Sequence, residues 1–251
     1  MTSSNWLQYF QWNRDHRQPI PWPSRLHVEA RLRVPLIRSL QRFQVGESGE
    51  GRHLRRAAAT TRDPDYVASI DLFIKEEQEH ARLMARILGE LQAPLLDSHW
   101  TDNVFVLMRR LFGLREELLV LLLPEMMAQR YFRALHDGTH DPVLRAIFAQ
   151  ICHDEDGHVA FHIDYLQGVF AALALPARAI LRAVWRILFR ATCLLVILDH
   201  RSVLTAVGVS PGQFWWDTGL IFDETAARIF SYTPKRISRD ALFALEPDVV
   251  K

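Results

Sequence analysis

Two copies of a Glu-x-x-His motif stand out in this chain of 251 residues. The first runs from Glu77 to His80 and the second from Glu155 to His158. On an α-helix, residues three positions apart lie on the same face, so each motif directs a carboxylate and an imidazole toward one point. Carboxylate and imidazole groups without thiolates are typical ligands of iron and manganese. The two motifs therefore predict a site for divalent metal ions.

A further glutamate precedes each motif by the same distance. Glu47 lies 30 residues before Glu77, and Glu125 lies 30 residues before Glu155. Four carboxylates would neutralise two divalent cations, and carboxylate bridges can hold two metals roughly 3.5–4 Å apart. One Glu-x-x-His is a weak signal in a chain with 11 histidines, but two copies in register with two partner glutamates rarely arise by chance. The alternative is that these acids are solvated charges on helix surfaces.

Long helices are predicted for the segments that carry these residues. Glycine is scarce, with 11 in the chain, and apolar residues recur at three- and four-residue spacing, which is typical of helices and not of strands. The expected helices span approximately residues 24–59, 63–91, 102–136, 141–171 and 176–206, with shorter helices near 223–230 and 239–245. Long helices joined by short links fold into an up-and-down bundle.

The helical region consists of two hairpins that look like copies of one unit. An offset of 78 residues superposes Asp63-Pro64 on Asp141-Pro142, and in each pair Asp is an expected N-cap and Pro the first helical residue. The same offset places each Glu-x-x-His motif and each preceding glutamate on its counterpart. The repeat predicts a site with approximate twofold symmetry between the hairpins.

With these positions the sequence resembles the ferritin-like di-iron carboxylate superfamily, which includes acyl-carrier-protein desaturases, ribonucleotide reductase small subunits, bacterial multicomponent monooxygenases and arylamine N-oxygenases. The resemblance covers about residues 26–166. It implies an all-α, ferritin-like four-helix bundle with additional C-terminal helices. It also implies that six residues are metal ligands: Glu47, Glu77, His80, Glu125, Glu155 and His158.

The resemblance further implies a cofactor and a reaction type. The cofactor would be two iron ions, with an iron–manganese pair left open, and O₂ would be the co-substrate. The reaction would be hydroxylation, N-oxygenation or desaturation of a small organic substrate, with electrons from an external donor. Two other functions stay open, namely an iron-storage or ferroxidase protein and a non-catalytic helical subunit with a vestigial site.

The first ligand position has two candidates one helical turn apart. Glu47 is preferred because its repeat counterpart is a glutamate, and Glu50 is the alternative. Glycines at positions 46, 49 and 51 lower helix stability in this segment. We therefore expect a locally distorted helix beside the metals.

Two residues of the second hairpin are additional candidates. The resemblance implies that Asp154 is a supporting carboxylate that binds the far nitrogen of a ligand histidine, with His80 as the candidate partner; a solvated acid is the alternative. His162 lies one turn after His158 on the same stripe of the helix. It is either a seventh ligand, as the extra histidine of arylamine N-oxygenases suggests, or a histidine that belongs to the core or supports a ligand, which we favour.

The amino-acid composition limits the class of protein to which the chain can belong. A chain with 49% hydrophobic and 24% charged residues is typical of folded soluble proteins, and a net charge of +1 gives no field that attracts nucleic acid. Two cysteines exclude a disulfide scaffold.

The N-terminal residues lack the apolar region of a signal peptide, so we expect a cytoplasmic protein. We expect one domain, 1–251, with a core at about 24–171 and an extension at about 176–251.

The longest apolar stretch, 173–198, contains a stripe of four arginines: Arg178, Arg182, Arg186 and Arg190. These charges argue against a membrane span. The stripe is either a salt-bridged or solvated face, which we favour, or a docking surface for an acidic partner such as a carrier protein or a ferredoxin. The other expected partners are a small-molecule substrate and a second copy of the chain in a homodimer.

Overall fold

The computed structural model describes residues 1–22, 26–97 and 114–231. The helices of these ranges are α1 (Ser3–Asp15), α2 (Ala30–Glu47), α3 (Arg52–Ala59), α4 (Pro64–Glu90), α5 (Leu114–Gly138), α6 (Pro142–Phe170), α7 (Leu175–Ala206) and α8 (Pro211–Phe230). No strand occurs in the described ranges, which confirms the predicted all-α class. The helix predicted near 239–245 and the start of the helix predicted from 102 lie outside these residues.

Four of the helices form a bundle of two hairpins. Helix α2 packs against α4, α5 packs against α6, and α4 contacts α6. The other helices cover this bundle: α1 lies on α4, α3 lies on α4 and α5, and α7 lies on α2 and α5. Helix α8 contacts α5, α6 and α7. The helices α7 and α8 are thus the additional C-terminal helices that the sequence predicts.

The two Asp-Pro sequences begin α4 and α6, as predicted. Asp63 accepts hydrogen bonds from the backbone N–H groups of Asp65 and Tyr66. Asp141 accepts from the first turn of α6 in the same way, and its other carboxylate oxygen accepts from the N–H of His27, 2.7 Å away. The first N–H groups of a helix have no hydrogen-bond acceptor within the helix. The two carboxylates supply these acceptors.

Replacing Asp141 with alanine should therefore destabilise the fold. We expect the free energy of unfolding to fall by about 1–2 kcal/mol, because the first turn of α6 loses its acceptor. Thermal denaturation should show a Tm lower by roughly 2–8 °C for a chain of this size. The control is Asp137→Ala, which removes an exposed carboxylate near the end of α5 and should leave the Tm nearly unchanged. Equal losses in the two variants would contradict the capping role.

The single helix predicted for 24–59 is wrong. Helix α2 ends at Glu47, and α3 begins at Arg52. Gly51, the residue before α3, has a φ of 62°, which favours glycine. A Cβ atom at this position would lie 2.5 Å from Cδ1 of Ile74, so the chain passes too close to α4 for a side chain. The glycines of this segment end α2 directly after the candidate ligand.

Two further helical segments differ from the predictions. Helix α1 was not predicted; it begins with a capping box between Thr2 and Asn5, and its Phe10 ring packs edge-on against Phe161 with centroids 5.2 Å apart. Helix α8 begins at Pro211, well before the predicted 223, because Ser210 is an N-cap followed by proline. The packing of α1 against the core and the N-cap of α8 thus explain helical residues that the apolar pattern did not indicate.

The arginine stripe of α7 contacts its own chain. The Arg186 guanidinium donates to the carboxylate of Asp223 at 2.6 Å, and Arg190 lies 4.7 Å above the ring of Trp215. Arg178 is buried and donates to the carbonyl oxygen of Leu173. Of these contacts, the pair of Arg186 and Asp223 is a salt bridge of the kind that the favoured interpretation expects. Among the described helices, none combines the length and the apolar character that a membrane crossing requires.

Candidate metal centre

The six predicted ligands come together inside the four-helix bundle. Helix α2 contributes Glu47, α4 contributes Glu77 and His80, α5 contributes Glu125, and α6 contributes Glu155 and His158. They form two overlapping groups in which all ligand atoms lie within 4.8 Å of one another: Glu77, Glu125, Glu155 and His158 in one, and Glu47, Glu77 and His80 in the other. Each group has the size of a site for one metal ion.

Two glutamates lie between the two imidazoles. Oε1 of Glu77 is 2.9 Å from Nδ1 of His158 and 3.9 Å from Nδ1 of His80. The two oxygens of Glu155 are 3.5 Å from Nδ1 of His80 and 3.9 Å from Nδ1 of His158. Both side chains can therefore reach both ligand groups, as bridging carboxylates of a two-metal site must.

The cluster concentrates negative charge in a largely buried site. Glu155 is 1% exposed and Glu125 is 4% exposed. Burial raises the pKa of Glu155 well above its usual value, and the charges of Glu125 and Glu77 raise it further. Burial also raises the pKa of Glu47, as does the charge of Glu77. Packing these acids together is costly unless protons or cations compensate their charge.

The donor atoms of this cluster fit metal ions. Six buried atoms find no hydrogen-bond partner within the described part of the chain: Glu77 Oε1, His80 Nδ1, Glu125 Oε2, Glu155 Oε1, Glu155 Oε2 and His158 Nδ1. Leaving a buried polar atom unpaired costs about 1–3 kcal/mol, so folded proteins rarely do it. Divalent cations would bind these atoms and neutralise the carboxylates. Oxygen and imidazole donors without sulfur suit iron or manganese.

The opposite nitrogen of each histidine contacts a further carboxylate. Nε2 of His80 is 2.9 Å from Oδ2 of Asp154, the partner predicted from the sequence. Nε2 of His158 is 3.0 Å from Oε2 of Glu76, which the sequence analysis missed. The 78-residue repeat pairs Glu76 with Asp154 and was the available signal. With metal bound, the Nε2 proton of each histidine would donate to its carboxylate, and Nδ1 would be the lone-pair donor facing the cluster.

Helix α1 joins these two outer carboxylates. Nδ2 of Asn13 is 2.7 Å from Oε1 of Glu76 and 2.7 Å from Oδ1 of Asp154. Nη2 of Arg17 lies 3.2 Å and 3.1 Å from the same two side chains. Burial opposes ionisation of Asp154, but the hydrogen bond from His80 and the charges of His80 and Arg17 outweigh it and lower its pKa to about 2. Asn13 and Arg17 therefore contact both supporting carboxylates, and Arg17 helps to keep Asp154 ionised.

Two sequence candidates lie apart from the ligand groups. The Glu50 side chain is 64% exposed and pairs with Arg52, so the structure brings Glu47 and not Glu50 to the cluster. His162 is fully buried but belongs to neither group. Its ring packs edge-on against Phe73, with centroids 4.9 Å apart, and within the described residues neither nitrogen has a hydrogen-bond partner. His162 thus occupies the core position that the sequence analysis favoured.

A buried, unpaired histidine makes the stability of the protein depend on pH. Burial, with the nearby charge of His158, lowers the pKa of His162 to about 3. Between this pH and the usual pKa of 6.5, His162 is protonated in the unfolded chain but neutral in the folded one. Protonation therefore favours the unfolded chain, and the free energy of unfolding falls as the pH falls. At pH 5 the loss amounts to about 2 kcal/mol relative to pH 7.

His162→Leu should therefore reduce the difference in unfolding free energy between pH 7 and pH 5 by about 2 kcal/mol. The measurement is urea denaturation of the metal-free protein at both pH values. His153→Leu, at an exposed position of the same helix, is the control and should keep the pH dependence of the wild type. A variant at position 162 with unchanged pH dependence would show that this histidine is not held neutral in the core.

Comparison with known proteins identifies a similar fold. No family model matches the chain, and no curated protein matches it. Among solved structures, the chain is similar to "protein 19 with aldehyde deformylating oxidase activity" from Synechococcus, with 19% sequence identity and a TM-score of 0.58. The match covers 80% of this chain and 92% of that protein. A likeness at this identity establishes the fold, and the predicted ferritin-like helical fold is confirmed.

Proposed function

We propose that the protein is a non-haem di-iron oxidase or oxygenase that uses O₂ to oxidise a small organic substrate. The proposal depends above all on one observation: six carboxylate and imidazole side chains converge on two overlapping sites, and their buried donor atoms lack partners among the described residues. The structural neighbour from Synechococcus has aldehyde deformylating oxidase activity, which supports an oxidase-type reaction. Hydroxylation, N-oxygenation, desaturation and aldehyde deformylation all belong to the proposed range.

Each ligand has a proposed position. Glu47 and His80 would hold one iron, Glu125 and His158 the other, and Glu77 and Glu155 would bind between them. A pair of reduced irons supplies the electrons that O₂ needs in order to react with organic molecules. The protein supplies the remaining conditions: four carboxylates that neutralise the metals, imidazoles fixed in one tautomer, and buried surroundings that exclude water.

Metal and oxygen measurements test this function. The purified protein is loaded anaerobically with Fe²⁺, its iron content is measured, and O₂ consumption is followed after mixing with oxygenated buffer. We expect two irons per chain and rapid O₂ uptake with a change in the optical spectrum. Protein that holds two irons per chain but consumes no O₂ would overturn the proposal. Repeating the titration with Mn²⁺ and Fe²⁺ together distinguishes an iron pair from a mixed pair.

One observation favours the iron-handling alternative. A cavity of about 460 Å³ reaches Glu47 and Glu77 and is also lined by Glu50 and Glu117, which pair with Arg52 and His53. The carboxylates of Glu47 and Glu77 beside this opening would attract Fe²⁺ as a substrate. Iron uptake far above two per chain, or assembly into a large cage, would support this function instead.

A further inference from the structure

We infer that an apolar cavity between α2, α5 and α7 is the substrate site and that it holds an uncharged, compact group about the size of one substituted aromatic ring. This inference rests on the proposed oxidase function. The cavity has a volume of about 160 Å³. Its apolar lining consists of Phe43, Val120, Leu121, Pro124, Ala128 and Val196.

The cavity lies directly beside the candidate metal ligands. Glu47, Glu77, Glu125 and Glu155 all line it, and together they include members of both ligand groups. A molecule in this cavity would therefore lie beside both groups of candidate ligands. Apolar side chains around the reacting group keep water away from the reaction.

Chemistry of the walls selects uncharged substrates. Helix α5 presents Val120, Pro124 and Ala128 at intervals of four residues, so one apolar face forms a wall. Phe43 forms another wall and is fixed by stacking on Tyr131, with ring centroids 4.2 Å apart. A charged molecule would lose its hydration against these side chains, and in the holo protein the carboxylates of the cavity would be bound to metal. An apolar molecule is stabilised there because its surface is removed from water.

Polar groups at the edge of the cavity are already bound within the chain. The Arg42 guanidinium donates to the backbone carbonyl of Asp199 and lies 3.6 Å from its carboxylate. Nδ1 of His200 lies 2.5 Å from Oγ of Ser39. These contacts hold α7 against α2 beside the cavity. They leave the apolar walls as the features that select the substrate.

The volume of the cavity indicates the size of the group that fits beside the candidate ligands. A buried apolar cavity of about 150 Å³ in an engineered protein binds benzene, so a cavity of this size holds one ring and few additional atoms. The larger cavity shares Gly46, Glu47, Glu77 and Leu121 with the apolar one. Leu121 is the large apolar side chain among these shared residues. Because it lines both cavities, shortening it should enlarge the space beside the ligands.

Variants that change the cavity volume in opposite directions test the inference. Toluene and naphthalene serve as probes, and their affinities are measured by calorimetry with metal-free and iron-loaded protein. We expect toluene to bind the wild type at least about tenfold more tightly than naphthalene. Ala128→Phe should weaken toluene binding at least about tenfold by filling the cavity, and Leu121→Ala should strengthen naphthalene binding by a similar factor. Val196→Phe is a second filling variant, in case Ala128→Phe does not fold.

The matched control is Ala183→Phe, the same substitution at an exposed position of α7, which should leave both affinities unchanged. Toluene binding that is equal in the wild type and in a folded filling variant would overturn the inference, as would equal affinity for both probes. In the iron-loaded wild type, toluene should also change the rate of O₂ uptake, and Ala128→Phe should abolish that effect. A failed iron or O₂ measurement instead overturns the proposed function, while the probe affinities report on the cavity alone.

Discussion

Replacing Glu77 with alanine should remove both metal ions at once. Glu77 belongs to both ligand groups, and its Oε1 lies within 4 Å of Nδ1 of His80 and of His158. Glu47 belongs only to the group with His80, and Glu125 only to the group with His158. We therefore expect Glu47→Ala and Glu125→Ala to keep one tightly bound iron and Glu77→Ala to keep none.

The expected effect is large because a bridging carboxylate contributes a bond and a neutralising charge to each metal. Loss of a residue that only supports a ligand already weakens metal binding about 10–100-fold, so loss of Glu77 should exceed about 100-fold for both ions. O₂ consumption should fall to the background rate. Anaerobic titration with Fe²⁺ and metal analysis after desalting measure the affinity and the stoichiometry.

Misfolding of Glu77→Ala would also abolish metal binding, so the stability of the metal-free variant has to be measured separately. The charge of Glu77 raises the pKa of both Glu47 and Glu155, so its removal relieves repulsion in the absence of metal. Metal-free Glu77→Ala should be at least as stable as the metal-free wild type. The control is Glu79→Ala, which removes a carboxylate that pairs with Arg82 on the same helix and should leave two irons bound. A folded Glu77→Ala protein with two irons would contradict the bridging position.

The sequence predicted the candidate ligands because helical geometry fixes their spacing. Residues three apart on one helix face meet wherever that helix lies in the core, so Glu77 and His80 needed no tertiary information. The choice between Glu47 and Glu50 depended on where α2 ends. The glycine segment ends the helix at Glu47 and leaves Glu50 exposed, a backbone effect that a continuous helical pattern does not reveal.

The supporting contacts were predictable only in part. Glu76 has Asp154 as its repeat counterpart, so the internal repeat contained the signal for its role. Asn13 had no such signal, because it lies on a helix outside the repeat and reaches Asp154 across 141 positions of sequence. Contacts of this kind depend on how α1 packs against α4, which no local spacing encodes.

The outer carboxylates should control the two metals separately. Asp154 contacts His80, and Glu76 contacts His158. Asp154→Ala should therefore weaken the metal bound with Glu47 and His80, and Glu76→Ala should weaken the other, each by about 10–100-fold. A stepwise Fe²⁺ titration of each variant should show one binding phase of wild-type affinity and one weakened phase. Combining each variant with Glu125→Ala, which leaves only the His80 position, identifies the affected metal.

Asn13 should couple the two positions because its side-chain amide donates to both carboxylates. Asn13→Leu keeps the side-chain volume but removes both donors, so both phases should weaken and the free energy of unfolding should fall by about 1–3 kcal/mol. Gln11→Leu, at an exposed position of the same helix, is the matched control and should alter neither phase. If Asp154→Ala alone weakened both phases equally, the two histidines would not be supported independently, and the twofold arrangement would have no role in binding metal.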